Sequence, residues 1–333
     1  MGIKLGDLVE KKDVKWDSLQ GKTLAIDASN VLYQFASSIR QQDGTPLMNK
    51  EGKVTSHLVG LFSRVPNMVQ KGIKPVFVFD GEPPQLKALT QQKRRENKDK
   101  AKEKYMEAAA KEDENLMEFY SKQFTGMNQE MFDEAKELLE AMGLPTVQAP
   151  SEAEAQCAYM CKKKKVYAVG SQDYDTLLFG GPKLIQNLTL SQKRKVSGGR
   201  YVLIAPYLIE LKQVLDSLEL NQEELILWAI LVGTDYNPGG VKGIGPKKAL
   251  KLIQSGKKPE LIFDELECNF DWKVIFDTFK HIPVSDVNLK FGELDVDRIK
   301  EILIERHDFT ETRVDNVLEK LQKKEKESLK KWF

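Results

Sequence analysis

Three stretches of the chain are continuously apolar rather than alternating, and an aspartate closes each of them. They are TLAID at 23–27, KPVFVFD at 74–80 and KVYAVGSQD at 165–173. Unbroken runs rich in Val, Ile and Phe are typical of parallel strands that are buried on both faces. The pattern therefore predicts a buried parallel sheet whose strands end near Asp27, Asp80 and the pair Asp173 and Asp175.

Amphipathic helices separate these strands. In EMFDEAKELLEAMG (130–143) apolar side chains recur three and four residues apart, and Gly143 followed by Pro145 is expected to end the helix. Beyond residue 206 the pattern is mainly helical, in segments 204–220, 222–233 and 245–256. The order of elements predicts an α/β fold: a central, mostly parallel sheet with helices on both faces, followed by a helical carboxyl-terminal part.

Residues 81–127 differ from the rest because they are highly charged and contain few apolar positions. Their composition alone favours a long solvated helix or a partly disordered insertion. The net charge of the whole chain is only +1, but Lys and Arg concentrate at 93–104 and 242–251. Local positive surfaces bind nucleic acid even in a chain whose total charge is near zero.

Membrane and secreted classes are not expected. No apolar run approaches the roughly 18 residues that cross a bilayer, and no secretory signal opens the chain, so we expect a cytoplasmic protein. The three cysteines, Cys157, Cys161 and Cys268, are odd in number, and the first two have helical spacing. This pattern argues against a disulfide framework.

Acidic side chains follow or begin several of the predicted elements. They are Asp27, Asp80, Glu152, Glu154, Asp173, Asp175 and Asp235. The aspartates each have an ordinary alternative explanation as a turn or helix-end residue. Glu152 is favoured near a helix amino end by the helix dipole, and Glu154 has the spacing of a capping box with Ser151. However, the carboxyl ends of parallel strands share one edge of a sheet, where open α/β sheets bind their ligands. Glu152 and Glu154 can both reach that edge only if Glu152 lies in an irregular first turn, because residues two apart diverge on a regular helix.

Several carboxylates around one cavity would repel each other and could stay ionised only beside cations. The set contains no His or Cys, and all-oxygen ligands select hard ions such as Mg²⁺ or Mn²⁺ over zinc. Two such ions about 4 Å apart stabilise the attacking and leaving oxygens of phosphoryl transfer. The sequence thus predicts hydrolysis of a phosphate ester by two metal ions.

The motifs taken together resemble those of the flap structure-specific endonucleases, in order and in spacing. They are AIDASNVLYQF, VFVFDGEPPQLK, APSEAEAQC, GSQDYDTLLFG and VGTDYNPGGVKGIGPKKAL. The resemblance extends over nearly the whole chain, and the compact length is similar to the archaeal form. It implies one nuclease domain over 1–325, followed by a sliding-clamp-binding tail at 326–333. Within the domain it implies an N-terminal region (1–105), an arch insertion (81–127) and an internal region (128–260) with a helix–two-turn–helix module at about 225–256.

The resemblance also implies an activity. Members of this family use two Mg²⁺ ions, for which Mn²⁺ can substitute, to cleave 5′ flaps at single-strand/duplex junctions in DNA replication and repair, with an associated 5′–3′ exonuclease activity. All seven acids would be metal ligands, and Asp27, Asp80 and Asp175 would act in catalysis with Lys87 and Arg94. The basic pair would enter the site from the base of the arch, although its residue types alone are typical of a solvated helix face.

Further positions are implied as contacts to flapped DNA. They are Gly2, Tyr33, Arg64, Lys93, Arg95, Gly233, Gly243, Gly245, Lys247 and Lys248. Tyr33 would stack on a terminal base, its alternative being a core residue. GIGPKKA would bring backbone N–H groups to a phosphate and hold a K⁺ ion through backbone oxygens.

The tail KESLKKWF would dock on a sliding clamp. The residues concerned are Lys326, Leu329, Trp332 and Phe333, and Lys326 stands where the family usually has Gln. A frayed amphipathic helix end is the alternative. Away from the clamp we expect a monomer, associated with the nucleoid.

Two other functions are weighed. VFVFDGEPP suggests a phosphomonoesterase of the haloacid dehalogenase kind, but that chemistry needs a second Asp two residues after the first, where Glu82 stands here. The second alternative is a DNA-binding scaffold without catalysis, in which the acids only support the structure.

Overall fold

A seven-stranded sheet forms the centre of the molecule. The computed structural model describes residues 5–6, 8–41, 44–111, 113, 116–117, 119–120, 126–188, 193–195 and 201–329. The strands are β1 (Lys12–Asp13), β2 (Thr23–Asp27), β3 (Lys74–Phe79), β4 (Thr146–Gln148), β5 (Ala168–Gly170), β6 (Lys183–Gln186), β7 (Lys193–Lys195), β8 (Tyr201–Leu203) and β9 (Tyr207–Glu210). The sheet has the order β1-β9-β6-β5-β2-β3-β4, and β7 pairs with β8 separately.

The five strands from β6 to β4 are parallel, as the sequence predicts, and β9 and β1 close one edge in the antiparallel sense. Strand β2 is confirmed as predicted. The strand expected over 165–173 is wrong in extent, because only Ala168–Gly170 pairs with β2. The preceding residues 163–167 form the turns that lead out of a helix, so an apolar run is longer here than the strand inside it.

Thirteen α-helices lie in the part of the chain that the structure describes. They are α1 (Ala28–Ser38), α2 (Ser56–Gln70), α3 (Ala88–Ala110), α4 (Gln129–Ala141), α5 (Ala153–Lys162), α6 (Asp175–Leu178), α7 (Leu211–Leu218), α8 (Gln222–Val232), α9 (Pro246–Gln254), α10 (Pro259–Glu265), α11 (Trp272–His281), α12 (Val296–Lys300), which continues as a π-helical turn over Glu301–Glu305, and α13 (Glu311–Leu329). Short 3₁₀ turns cover Trp16–Leu19 and Gln85–Lys87. The helices expected over 130–143, 222–233 and 245–256 are confirmed as α4, α8 and α9.

The segment 204–220 is only partly helical, which corrects the sequence-based prediction. Its first part forms β9, which pairs with β6 through partners such as Ile209 and Leu184. Ile209 is fully buried, and the residues on either side of it are only half-buried. Pairing with β6 and β1 satisfies both edges of this segment, and such long-range pairing outweighs local helical preference.

Helices cover both faces of the sheet because successive side chains of a strand point to opposite faces. Leu24 and Ile26 of β2 belong to the main core, which also contains apolar side chains of α1, α2 and α4. Ala25, between them, packs on the other face with α5. A third apolar cluster surrounds the buried Trp228 of α8 and joins α7 to α11. The prediction of helices on both faces is confirmed.

The predicted arch insertion is described in part. Its described helix is α3, and beyond it only residues 111, 113, 116–117, 119–120 and 126–127 of the insertion are described. None of the described helices combines the length and the apolar character that crossing a bilayer requires.

Candidate active site

Asp27 lies at the junction of β2 and α1. It is buried and is the N-cap residue of α1, where its Oδ1 accepts a hydrogen bond of 2.9 Å from the Asn30 amide. Burial, then repulsion from Asp80, raises the pKa of Asp27 to about 8. The hydrogen bond from Asn30 favours the charged form, but burial and the repulsion from Asp80 and Asp173 outweigh it.

Asp80 follows β3 and also caps a helix. Its Oδ1 accepts a hydrogen bond of 2.8 Å from the amide of Ala153, the first residue of α5. The capping box expected between Ser151 and Glu154 is wrong. Ser151 instead donates its hydroxyl to the carbonyl of Glu82 at 2.9 Å.

Glu152 is the N-cap residue of α5, with extended backbone angles (φ −85°, ψ 134°). Glu154 lies one residue into the first helical turn. Because Glu152 lies outside the regular helix, its side chain need not point away from that of Glu154. The condition under which both can serve one site is met.

The remaining acids come from two other segments. Asp173 follows β5, and Asp175 is the buried first residue of the short helix α6. Asp235 lies in a turn after α8 that is fixed by Asn237, whose side-chain oxygen accepts hydrogen bonds from the amide (3.1 Å) and hydroxyl (2.7 Å) of Thr234. This buried turn explains why an ordinary helix-end aspartate holds a defined position.

Electrostatic coupling joins these acids into one network. Burial raises the pKa of Glu154 well above its ordinary value, and repulsion from Asp173, Asp175 and Asp27 adds to the rise. Burial likewise raises the pKa of Asp173, with a contribution from Asp235. Carboxylates from β2, β3, α5, the β5–α6 segment and the turn after α8 thus lie within range of one another's charge.

Lys87 is the cation of this network. Its Nζ forms a close ion pair with Glu152 Oε1 and lies 3.8 Å from Asp235 Oδ2. Burial favours the neutral amine, but the charges of Glu152 and Glu154 outweigh that effect and raise the pKa of Lys87. The side chain is 19% exposed, so the alternative of a solvated helix face is wrong for this residue.

Tyr236 belongs to the site and was not singled out from the sequence. Its hydroxyl donates a hydrogen bond of 2.8 Å to Glu152 Oε2. Burial, together with the charge of Glu152, raises the pKa of this phenol. Lys87 and Tyr236, from different segments of the chain, each contact one carboxylate oxygen of Glu152. The sequence signal that could have identified Tyr236 is its position directly after Asp235.

A cleft of about 460 Å³ opens beside the acids. Asp80, Lys87 and Glu152 line one side of it, and Tyr33, Phe132 and Lys98 are also part of its wall. Tyr33 is 41% exposed, makes an edge contact with Phe132 at 6.0 Å between ring centroids, and has Lys98 Nζ 5.6 Å above its ring. The alternative that Tyr33 is a core residue is therefore wrong.

The donor set fits hard divalent cations, since every acid of the network supplies carboxylate oxygens only. Among the described residues, no three His, Cys, Asp or Glu side chains are arranged so that they already form a coordination sphere. Lys87 Nζ lies between Glu152 and Asp235 in this arrangement. The assignment of individual acids as metal ligands stays a prediction.

The predicted helix–two-turn–helix stretch has α8 and α9 on either side of a glycine-rich loop. Gly243 adopts φ +78°, which favours glycine, and Gly245 is the N-cap residue of α9 with Pro246 behind it. No atom lies within 4 Å of a Cβ placed at Gly243 or Gly245, and Lys247 and Lys248 are exposed. The loop and the first turn of α9 thus present an open, basic surface.

Gly233 and Arg64 have described roles in packing. Gly233 has φ +114°, and a Cβ there would lie 2.7 Å from the Gly240 amide nitrogen. Arg64 lies over the ring of Phe35 at 5.6 Å, and burial lowers its pKa. The structure gives neither residue a contact with the acid network within the described part of the chain.

Other predicted positions fall outside what is described. For Lys93, Arg94 and Arg95 only the backbone, within α3, is described, and the same holds for Lys326 and Leu329 within α13. Gly2, Trp332 and Phe333 lie outside the described residues.

Comparison with known families matches two parts of the chain. Residues 1–101 match the XPG N-terminal domain, and residues 143–235 match the XPG I-region. Between them these ranges contain all seven acids, Lys87 and Tyr33, and Tyr236 directly follows the second range.

Curated relatives align over the full length. The chain is 48% identical to flap endonuclease 1 of Thermococcus onnurineus, over 100% of this chain and 99% of that protein. It is 49% identical to flap endonuclease 1 of Pyrococcus furiosus with the same coverage.

Solved structures share the fold. Flap endonuclease-1 from Methanococcus jannaschii superposes with a TM-score of 0.76 at 39% identity, covering 97% of this chain and 98% of that one. The catalytic core of Rad2 in complex with a DNA substrate superposes with a TM-score of 0.69 at 25% identity, covering 96% of this chain and 100% of that one. Sequence identity near one half along the entire chain, together with the same fold, means that this chain belongs to the flap endonuclease family of nucleases.

Proposed function

We propose that this protein cleaves 5′ flaps at single-strand/duplex junctions in DNA by hydrolysis that depends on two divalent metal ions. The observation that carries the proposal is the convergence of seven carboxylates, from five separate segments, on one partly buried network that also contains Lys87. Such an arrangement of like charges is unfavourable for stability. It is expected where cations and a phosphate are to be bound.

The acids would hold Mg²⁺, or Mn²⁺ in its place. When bound, such ions stabilise the charge that develops on the phosphate oxygens and supply an activated water. The acids best suited to this role are those whose charges repel one another at the centre of the network, namely Asp27, Glu154, Asp173 and Asp175.

Lys87 is suited to a different task. Its raised pKa keeps it charged at any physiological pH, and its Nζ already lies at the rim between Glu152 and the cleft. A scissile phosphate that entered from the cleft would find this ammonium group beside it. Transfer of Lys87 from Glu152 to the phosphate would neutralise charge at the reacting group. We therefore propose Lys87 as a catalytic residue. We propose Arg94, which lies in the following helix α3, as its partner.

The cleft beside the acids would bind the unpaired nucleotide that reacts. Unpairing a nucleotide costs a few kcal/mol, and stacking on an aromatic ring recovers about 1–3 kcal/mol. The exposed ring of Tyr33, with Lys98 above it, offers such stacking beside a cation for the adjacent phosphate. A frayed junction lowers the cost of unpairing, which gives a physical reason for preferring flaps to continuous duplex.

The duplex next to the flap would lie on the GIGPKKA surface, where the α9 amino terminus and Lys247 and Lys248 face a phosphate backbone. We also propose a K⁺ ion at this loop, an accompanying 5′–3′ exonuclease activity, docking of residues 326–333 on a sliding clamp, and a monomer away from that clamp. The DNA substrate held by the related Rad2 catalytic core supports the general mode of binding.

A panel of substrates tests the proposal. We would incubate the protein with a 5′ flap, a 3′ flap, a gapped duplex and a blunt duplex, each with Mg²⁺ and with EDTA. The expected result is Mg²⁺-dependent cutting at the base of the 5′ flap and much slower cutting of the others. Binding of the 5′ flap without cutting in Mg²⁺ would overturn the proposal and favour the DNA scaffold.

One variant tests the acid network directly. Asp175→Asn keeps the shape of the side chain but removes its charge. We expect cutting to be abolished while binding of the junction, measured by fluorescence anisotropy in Ca²⁺, is retained. Cutting at the wild-type rate by this variant would refute the role of the network.

A further inference from the structure

A second cleft lies at the amino ends of the central strands, whereas the acids lie at the carboxyl ends of these strands. It has a volume of about 500 Å³ and is formed where β2, β5 and β6 begin and where α5 ends. Thr23 of β2 lines this cleft, whereas Asp27 at the other end of the same strand belongs to the acid network. They are the first and last residues of this strand, roughly 13 Å apart. The cleft is therefore distinct from the candidate active site.

Lysines dominate the lining of this basic pocket. They are Lys22, Lys162, Lys164, Lys165 and Lys183, and the remaining lining residues include no acid. Lys165 pairs with Asp286 at 3.0 Å and donates to the Val287 carbonyl at 2.8 Å, while Lys183 has Glu210 at 3.9 Å. The other three have no acidic partner among the residues that the structure describes. The pocket thus retains a positive charge that its own protein does not neutralise.

One aromatic ring organises part of this charge. Lys22 Nζ lies 5.0 Å and Lys183 Nζ 4.4 Å from the centroid of the Tyr167 ring. The separation of the two ammonium groups is therefore at most the sum of these two distances, even though like charges repel each other. Because the ring is already covered by cations, it is not free to stack on a base. Tyr167 therefore holds two positive charges ready for one anion.

A simpler explanation covers only part of the cluster. Lys162 lies in the last turn of α5, where a cation stabilises the negative end of the helix dipole. That argument does not apply to Lys22, which directly precedes β2, or to Lys183, the first residue of β6. Three separate elements direct lysines into one concave space, and a solvated charged face would not need that concavity.

We propose that this basic pocket binds an anion that carries two or more phosphate groups close together. Lysine ammonium groups are point charges that suit phosphate, and several within one cleft suit several charges on one ligand. Phosphates of this kind occur in free oligophosphates, including nucleoside triphosphates, and in the backbone of nucleic acids. The covered Tyr167 ring indicates that the phosphates are recognised rather than a base.

The test uses inorganic tripolyphosphate as the probe, titrated into the full-length protein by calorimetry in EDTA, so that divalent ions at the acid network do not contribute. The pocket variant is Lys22→Gln, Lys162→Gln and Lys164→Gln together. The matched control removes the same charge at three exposed lysines outside the pocket: Lys163→Gln, Lys212→Gln and Lys290→Gln.

We expect one site in the wild-type protein, weakened by rising salt. The pocket variant should lose about tenfold or more in affinity and the control about twofold or less, because only close charges escape screening. The single change Lys22→Gln should give a smaller loss of the same kind. Absence of saturable binding to the wild-type protein would overturn the proposal, as would equal weakening in the pocket variant and the control.

Two competitors identify the natural source of the phosphates. ATP and a single-stranded oligonucleotide are each titrated against bound tripolyphosphate. Displacement by ATP alone assigns the pocket to free oligophosphates. Displacement by the oligonucleotide assigns it to the nucleic-acid backbone, and either result supports the proposal.

Discussion

The half-buried carboxylate Glu134 offers the sharpest test of the energetics of this fold. It lies on α4 between two buried histidines, with His307 Nε2 3.1 Å from Oε1 and His57 Nε2 3.8 Å from Oε2. These three residues join α4 to α2 and to the segment that precedes α13. Replacing Glu134 with Gln keeps the shape and removes the charge that holds the two rings.

The magnitude follows from the pKa of Glu134. Burial would raise this pKa, but the two histidines outweigh it and lower the value from 4.5 to about 2. A pKa unit corresponds to about 1.36 kcal/mol, so the ionised form adds roughly 3 kcal/mol to the free energy of unfolding at neutral pH. A lowered pKa in the folded state means that this contribution is complete above pH 4.5 and is lost as the pH falls towards 2.

We therefore expect Glu134→Gln to lower the free energy of unfolding by roughly 3 kcal/mol at pH 7 and by only about 1 kcal/mol at pH 3. Burial lowers the pKa of His57 as well, so the wild-type protein also loses stability below pH 6.5. The assay is urea unfolding followed by circular dichroism at several pH values. The control is Glu130→Gln, which breaks the exposed ion pair with Lys53 and should change stability much less, because solvent screens exposed pairs. A penalty for Glu134→Gln that is equal at pH 7 and pH 3 would refute the electrostatic explanation.

Three further changes test other parts of the structure. Gly60→Ala would put a Cβ 2.2 Å from Phe35 Cγ and should destabilise the fold by about 1–3 kcal/mol in urea unfolding, whereas Gly126→Ala, which meets no atom within 4 Å, should not. Tyr33→Leu should slow single-turnover cleavage of a 5′ flap by about tenfold or more through lost stacking, and Tyr33→Phe should leave the rate nearly unchanged; equal rates for both would contradict the stacking role. Lys247→Gln with Lys248→Gln should weaken junction binding and reduce its logarithmic salt slope by about two; an unchanged slope would exclude both as phosphate contacts.

The sequence by itself determined where the central strands β2, β3 and β5 lie and which acids follow them, although not the extent of β5. A run such as TLAID is typical of a strand buried on both faces of a parallel sheet, and the shared direction of such strands brings Asp27 and Asp80 to the same end of the sheet. Those conclusions depend on local pattern and on a general property of sheets, so no tertiary detail was needed. The wider assignment of positions came from resemblance to a family rather than from periodicity.

Only the tertiary structure decided which neighbour each side chain has. Ser151 and Glu154 have the spacing of a capping box, yet Asp80, more than seventy residues earlier, caps α5 instead. Tyr207–Glu210 reads as helix but pairs as a strand. Tyr236 directly follows Asp235 in the sequence, but only the folded chain brings its hydroxyl to Glu152. In each case a contact between distant segments competes with a local preference of about 1 kcal/mol, and the long-range contact prevails because it also satisfies buried polar groups.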